Sequence, residues 1–98
     1  MSTATQDPGL LIMISLASGP KHGHAMMRDV EAFASVHLGP GTLYGALTRL
    51  DAEGLVEPMA PDGRRRPYRL TPRGRSALRA RLQEMREAVS IGLARVVG

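Results

Sequence analysis

Three prolines divide this chain into segments. Pro8, Pro40 and Pro72 each stand at the head of a stretch with helical periodicity. Proline is favoured at a first helical position because its missing N–H is not needed there and its φ is already helical. Ser18-Gly19-Pro20 ends the first such stretch and Gly54 follows the third as a left-handed cap, so these helices are bounded before any side chain is weighed. Residues 9–17 are almost wholly apolar and read as a short buried helix. A second helix is expected from about His24 to Ala34, with Met26, Met27, Val30 and Phe33 inward and Arg28, Asp29 and Glu31 turned to water. Its methionines read as core filling. After a turn over residues 35–39, Pro40 opens a third helix whose buried stripe is Leu43, Leu47 and Leu50. Thr42, Tyr44, Gly45, Thr48 and Arg49 are left on its other faces.

Residues 55–59 and 67–70 have strand character and are joined by Ala60-Pro61-Asp62-Gly63 and the triplet Arg64, Arg65 and Arg66. Asp-Gly between two such runs signals a hairpin turn, so a two-stranded ribbon with a basic tip is expected. Thr71 caps the last helix, which runs from Pro72 to about Val97. Along it Leu78, Leu82, Met85 and Val89 step by four, three and four, the spacing of a helix-pairing seam, and Leu93 and Val96 extend it less regularly. A helix of this length is about 40 Å long and outreaches a domain of this size. Its outer half therefore needs a partner chain, which favours a homodimer.

A chain of 98 residues, 43% hydrophobic, bounds a single core. With no cysteine, neither a disulfide nor a thiolate metal site is available, and packing or association must hold the fold. No cofactor is expected. No Lys or Arg precedes the apolar run at residues 10–14, and that run is too short to cross a bilayer. A cytoplasmic protein without membrane attachment is the expectation.

The charge is more informative. Lys and Arg number 13 against 9 Asp and Glu, and the excess is local. Arg64, Arg65, Arg66, Arg69, Arg73, Arg75, Arg79 and Arg81 follow one another with no carboxylate between them, which points to a polyanion as partner. The arrangement of three helices, a hairpin and a long final helix is that of a winged helix-turn-helix, mainly α with a small β-hairpin (α+β), in which the third helix enters the major groove and the wing lies over the backbone. Three guanidinium groups on one turn suit phosphates or a minor groove. The slim start Gly39-Pro40-Gly41-Thr42 lets helix N-terminal amides approach a phosphate. On this reading residues 1–8 are a disordered tail, 9–74 the DNA-binding domain and 75–98 a dimerisation helix.

The stretches His22-Gly23-His24, Gly39-Pro40-Gly41-Thr42-Leu43-Tyr44-Gly45-Ala46-Leu47, Arg49-Leu50-Asp51-Ala52-Glu53-Gly54-Leu55-Val56 and Arg66-Pro67-Tyr68-Arg69-Leu70-Thr71-Pro72-Arg73-Gly74 together resemble the PadR family of regulators over roughly residues 9–90. The resemblance implies a homodimer on an inverted-repeat operator in double-stranded DNA, usually a repressor, released by a small-molecule effector or another signal. By position it assigns Thr42, Tyr44 and Arg49 to the recognition helix, Pro40 and Gly41 to its start, and Arg64, Arg65 and Arg66 to the wing. His24 stands where the family commonly has an aromatic residue. The chain also lacks the tryptophan with which some drug-sensing relatives sandwich flat ligands.

Plainer readings stand beside these. Tyr44 can pack on the second helix instead of touching DNA, and Tyr68, on a strand, reads as core. The arginine triplet can be a solvated turn, although adjacent like charges favour a counter-charged partner. Arg73, Arg75, Arg79 and Arg81 read as solvated or internally paired. His22, His24 and His37 lack metal-ligand spacing and read as capping or exposed residues. No nucleophile–base set or phosphate loop stands out, so no enzyme is expected. The rival is a winged-helix protein-interaction module that does not bind DNA.

Overall fold

The computed structural model describes residues 7–98. Most of the expected N-terminal tail lies outside the described residues, but Asp7 and Pro8 are part of the fold. Asp7 caps α1 (Pro8–Ala17), its carboxylate accepting the Gly9 N–H at 3.1 Å. The other carboxylate oxygen meets the Arg81 guanidinium at 2.9 Å and ties the start of the first helix to the last. The elements that follow are β1 (Lys21–His22), α2 (Gly23–Ala34), α3 (Pro40–Ala52), β2 (Val56–Pro58), β3 (Pro67–Leu70) and α4 (Pro72–Val97). All three prolines start a helix, and Gly54 takes φ 77° just beyond α3. Among the described residues no helix is long and apolar enough to cross a membrane.

The core is built where α1, α2 and α3 meet. Leu10, Ile12, Leu16, Met26, Val30, Leu43 and Leu47 are fully buried there, with Val56 from β2 and, at the edge, Leu70 and Leu78. The α3 stripe is the one its spacing predicts. Two expectations for α2 are corrected. Phe33 is 45% exposed rather than inward, and Asp29 is not turned to water but accepts a hydrogen bond from the buried Ser15 hydroxyl at 2.7 Å. A buried hydroxyl needs such a partner, and a serine inside an apolar helix is the only sequence trace of it.

The ribbon is also larger than expected. The sheet has three strands in the order β1-β3-β2, all antiparallel. Lys21 lies opposite Tyr68 and His22 opposite Pro67, while Val56, Glu57 and Pro58 face Leu70, Arg69 and Tyr68. A two-residue strand has no alternation to display, so β1 is invisible to a periodicity test. Lys21 secures it by donating to the Ser18 hydroxyl at 2.7 Å and to the Ser15 carbonyl at the end of α1, where a cation meets the negative end of the helix.

The entry into α4 is the tightest junction. Thr71 Oγ1 accepts from the Gly74 N–H at 2.9 Å and donates to the Gly54 carbonyl at 2.6 Å. A Cβ at Gly74 would collide with the Leu55 carbonyl and lie 2.9 Å from Leu70 Cδ1. Backbone cannot swing aside as a flexible side chain can. Gly74→Ala is therefore expected to destabilise the domain by about 3 kcal/mol, at the upper end for overpacking. In a thermal melt that is a drop of more than about 10 °C in Tm, and an unchanged melt would show that the wing and α4 meet less closely than this.

Candidate nucleic-acid interface

The wing turn is closed by Asp62 and Arg65, which exchange backbone hydrogen bonds of 2.7 and 3.1 Å around Gly63 and Arg64. Gly63 takes φ 64° at the first central position, where a glycine-first hairpin turn requires it. Arg64 occupies the apex, exposed, with no side-chain partner among the described residues. Arg66 folds back and donates to the Met59 carbonyl at 3.1 Å. Arg69, three residues further on and within β3, is paired with Glu57 opposite it at 3.0 Å. The triplet is thus not three equivalent charges: one reaches outward and one is held to the wing's own backbone.

Arg65 reaches the other way, toward α2. Its Nη1 lies 3.4 Å from His22 Nε2, while His22 Nδ1 lies 3.4 Å from the Ala25 N–H as the N-cap of α2. A neutral imidazole has one free lone pair, so the ring accepts from one of these donors at a time. Strand β1 makes this meeting possible, because pairing His22 with Pro67 sets the N-terminus of α2 beside the base of the wing. His24 is exposed on the first turn of α2, and His37 is exposed near Glu31 at 3.9 Å. Among the described residues, no group of three His, Cys, Asp or Glu side chains is placed to hold a metal.

Tyr44 closes the third side. A Cβ at Gly23 would run into the Tyr44 hydroxyl and lie 2.9 Å from its Cζ, so the ring rests on the first residue of α2 and is still 48% exposed. It is both packed and available. Tyr68 lies half-buried below, packed against the core. The cleft between the wing tip, the start of α2 and the Tyr44 side of α3 is lined by His22, His24, Tyr44, Tyr68 and the three wing arginines, and its lining holds no carboxylate. Gly23 and His22 are the site residues that sequence reasoning missed; the pair His-Gly directly before an amphipathic helix was the available signal.

The outward ridge of α3 is small. Gly41, Gly45, Thr48 and Ala52 recur at i, i+4, i+7 and i+11 and are all exposed. Nothing lies within 4 Å of a Cβ built on Gly41 or Gly45. The Thr48 hydroxyl is turned inward to the Tyr44 carbonyl at 2.9 Å. The expected recognition residues flank this ridge on different sides. Tyr44 is on the wing side. Thr42 and Arg49, seven apart, share the other shoulder, and Arg49 belongs to a separate cleft with Asp7, Glu53 and Arg81. Pro40 and Gly41 form the exposed first turn.

The α4 seam divides likewise. Leu78 is buried in its own domain and Met85 is half-buried against it, whereas Leu82 and Val89 are 38% and 59% exposed. Leu93 and Val96 are more exposed still. The molecule is 56 Å long but only 26 by 20 Å across, and only Gly74 and Leu78 of α4 are buried.

The profile described as the Transcriptional regulator PadR-like family matches residues 11–80. The chain is 38% identical over 95 residues to Transcriptional regulator Rv3488 of Mycobacterium tuberculosis, a match covering 91% of this chain and 88% of that protein. It is 46% identical over 81 residues to an uncharacterized 37.1 kDa protein in transposon TN4556 of Streptomyces fradiae, 83% of this chain but only 24% of that longer protein. Among solved structures, a PadR family transcription regulator from Clostridium difficile R20291 superposes with a TM-score of 0.80 at 24% identity, over 93% of this chain and 98% of that one.

Proposed function

Because the chain belongs to the PadR-like family of transcriptional regulators, whose members are regulators rather than enzymes and generally bind DNA, we propose that it is a repressor. It binds a palindromic operator as a homodimer and leaves when an effector binds. The observation that carries this reading is the carboxylate-free cleft where the α2 start and Tyr44 of α3 meet the wing arginines. A duplex laid across it finds helix N-terminal amides, a phenol and guanidinium groups, all suited to phosphate.

In this reading α3 lies in the major groove with Pro40, Gly41 and Thr42 at its leading end. Its ridge of small residues faces the base edges, while Tyr44 and Arg49 sit on the two shoulders beside the groove walls. Arg64 and Arg65 reach the neighbouring backbone or minor groove, with Arg66 fixing the shape of the wing. Residues 9–74 carry the DNA contacts. Residues 75–98 carry the dimer contacts through Leu82 and Val89, supported by Leu78 and Met85. Symmetric recognition helices about 34 Å apart would match successive turns of the duplex. Polymerase is then excluded by occupancy of the promoter, in the cytoplasm, with no cofactor. The protein-interaction alternative leaves the basic cleft unexplained.

A pair of substitutions at Gly45 tests insertion of the ridge. Gly45→Ala has open space and is expected to stabilise the helix by about 1 kcal/mol. Gly45→Leu keeps good helix propensity but adds bulk to the ridge, so duplex affinity falls at least about tenfold, or about 1.4 kcal/mol. Fluorescence anisotropy with a labelled duplex from the protein's own upstream region reads this. Equal affinity for the two variants would mean that α3 does not enter the groove.

A further inference from the structure

We propose that His22 positions the wing arginine Arg65 in the free chain and becomes a phosphate contact itself by taking a proton when duplex DNA displaces that arginine. The inference rests on the DNA-binding dimer reading above. Two donors converge on the one imidazole: the Ala25 N–H lies 3.4 Å from Nδ1 and the Arg65 guanidinium 3.4 Å from Nε2. The place of the ring depends on neither. His22 is paired with Pro67 across the sheet, and the next residue, Gly23, is buried under the Tyr44 ring. Arg65 makes no other side-chain hydrogen bond and no ion pair among the described residues. The groups that face the ring come from every neighbouring element: His24 of α2, Tyr44 of α3, Arg64 and Arg66 of the wing and Tyr68 of β3, with no carboxylate in the lining. Lys21, its neighbour on β1, is turned to the end of α1.

A protonated imidazole has two N–H donors and no acceptor. In the free chain its Nε2–H would face the Arg65 guanidinium, donor against donor. A DNA phosphate reverses this. Arg65 exchanges a neutral acceptor for a charged one, which makes the stronger hydrogen bond, and its departure leaves the Nε2 lone pair open beside the phosphate. That lone pair takes a proton from solvent, and the new N–H donates to a phosphate oxygen. In the tautomer that accepts from Arg65, Nδ1 already carries its proton, so protonation costs no cap that was not already lost. The complex therefore binds more protons than the free components, and affinity rises as pH falls through the range in which histidine titrates.

The test titrates the full chain against its upstream duplex by anisotropy, at about pH 8 and about pH 6 and at several salt concentrations, for the parent, His22→Asn and His24→Asn. The parent is expected to bind about tenfold more tightly at the lower pH. Its salt slope should steepen by about 1.8, because two imidazoliums per dimer contribute about 0.9 each. His22→Asn keeps a good helix N-cap and should lose both changes. His24→Asn lacks the other imidazole of the cleft and should retain both, whatever its absolute affinity. A residue that only holds the start of α2 would leave the salt slope alone. Calorimetry of the parent in buffers of different ionisation enthalpy reads the proton uptake directly, and it decides the matter even if His22→Asn fails to fold. No proton uptake, or a gain that survives in His22→Asn or vanishes in His24→Asn, overturns the role of His22 and leaves DNA binding intact. Absence of salt-dependent duplex binding at both pH values overturns the DNA reading itself.

Discussion

Replacing Arg64, Arg65 and Arg66 together by alanine is expected to weaken binding of the upstream duplex by at least about 100-fold and to flatten its salt dependence. A twofold assembly presents the triplet twice, so the substitution removes six guanidinium groups. Each phosphate contact contributes about 0.9 to the slope of log K against log salt, so the four from Arg64 and Arg65 contribute about 3.6. The wing geometry ranks the single variants. Arg64, at the apex without a partner, should matter more than Arg66, whose guanidinium is held by the Met59 carbonyl at 3.1 Å. The triplet is exposed, so the thermal melt should barely move, which separates loss of grip from loss of fold. Anisotropy titrations at several salt concentrations give both the affinity and the slope. Parallel salt plots for parent and triple variant would remove the wing from the interface.

The second large effect is expected at the seam. Leu82→Ser with Val89→Ser replaces residues that are 38% and 59% exposed in the single chain, so the fold itself should keep nearly all its stability. In a symmetric dimer four side chains are lost. Full burial of a leucine or valine is worth about 1.5–3 kcal/mol, and for the surface these four still expose about 3–6 kcal/mol together. That raises the dimer Kd by about two to four orders of magnitude. DNA affinity should fall with it, because two linked half-site contacts gain from an effective concentration that separate monomers lack. Sedimentation velocity reads the first effect and anisotropy the second. A variant that stays dimeric would move the interface away from this face of α4.

Helix boundaries were the most legible part of this fold, since proline and glycine act locally. Pro8, Pro40, Pro72 and Gly54 do in the structure what their backbone chemistry requires. The α3 stripe and the Asp-Gly turn were readable for the same reason. What escaped depends on contacts between distant segments. Strand β1 exists because Lys21 and His22 find β3, more than forty residues away. Asp29 looks like a solvent-facing charge until Ser15 is placed beside it, and Phe33 follows the helical period yet sits at the rim.

The interface shows the same division. The composition of the wing announces a polyanion, but only the fold reveals that Arg65 turns to His22, that Arg66 is internally tied, and that Arg49 and Tyr44 stand on opposite shoulders of α3. That Tyr44 packs on α2 was one of two readings its position allowed, and Gly23 is what permits it, its missing side chain letting the ring settle while half of it remains exposed.

A twofold electrostatic grip on duplex DNA is tested most directly by sedimentation velocity of the intact chain with its own upstream duplex at about 50 and about 200 mM salt. Two chains should travel with each duplex at the lower salt, and the complex should weaken about a thousandfold at the higher, as six or more displaced counterions require. A monomer that sediments apart from the duplex at both concentrations would contradict it.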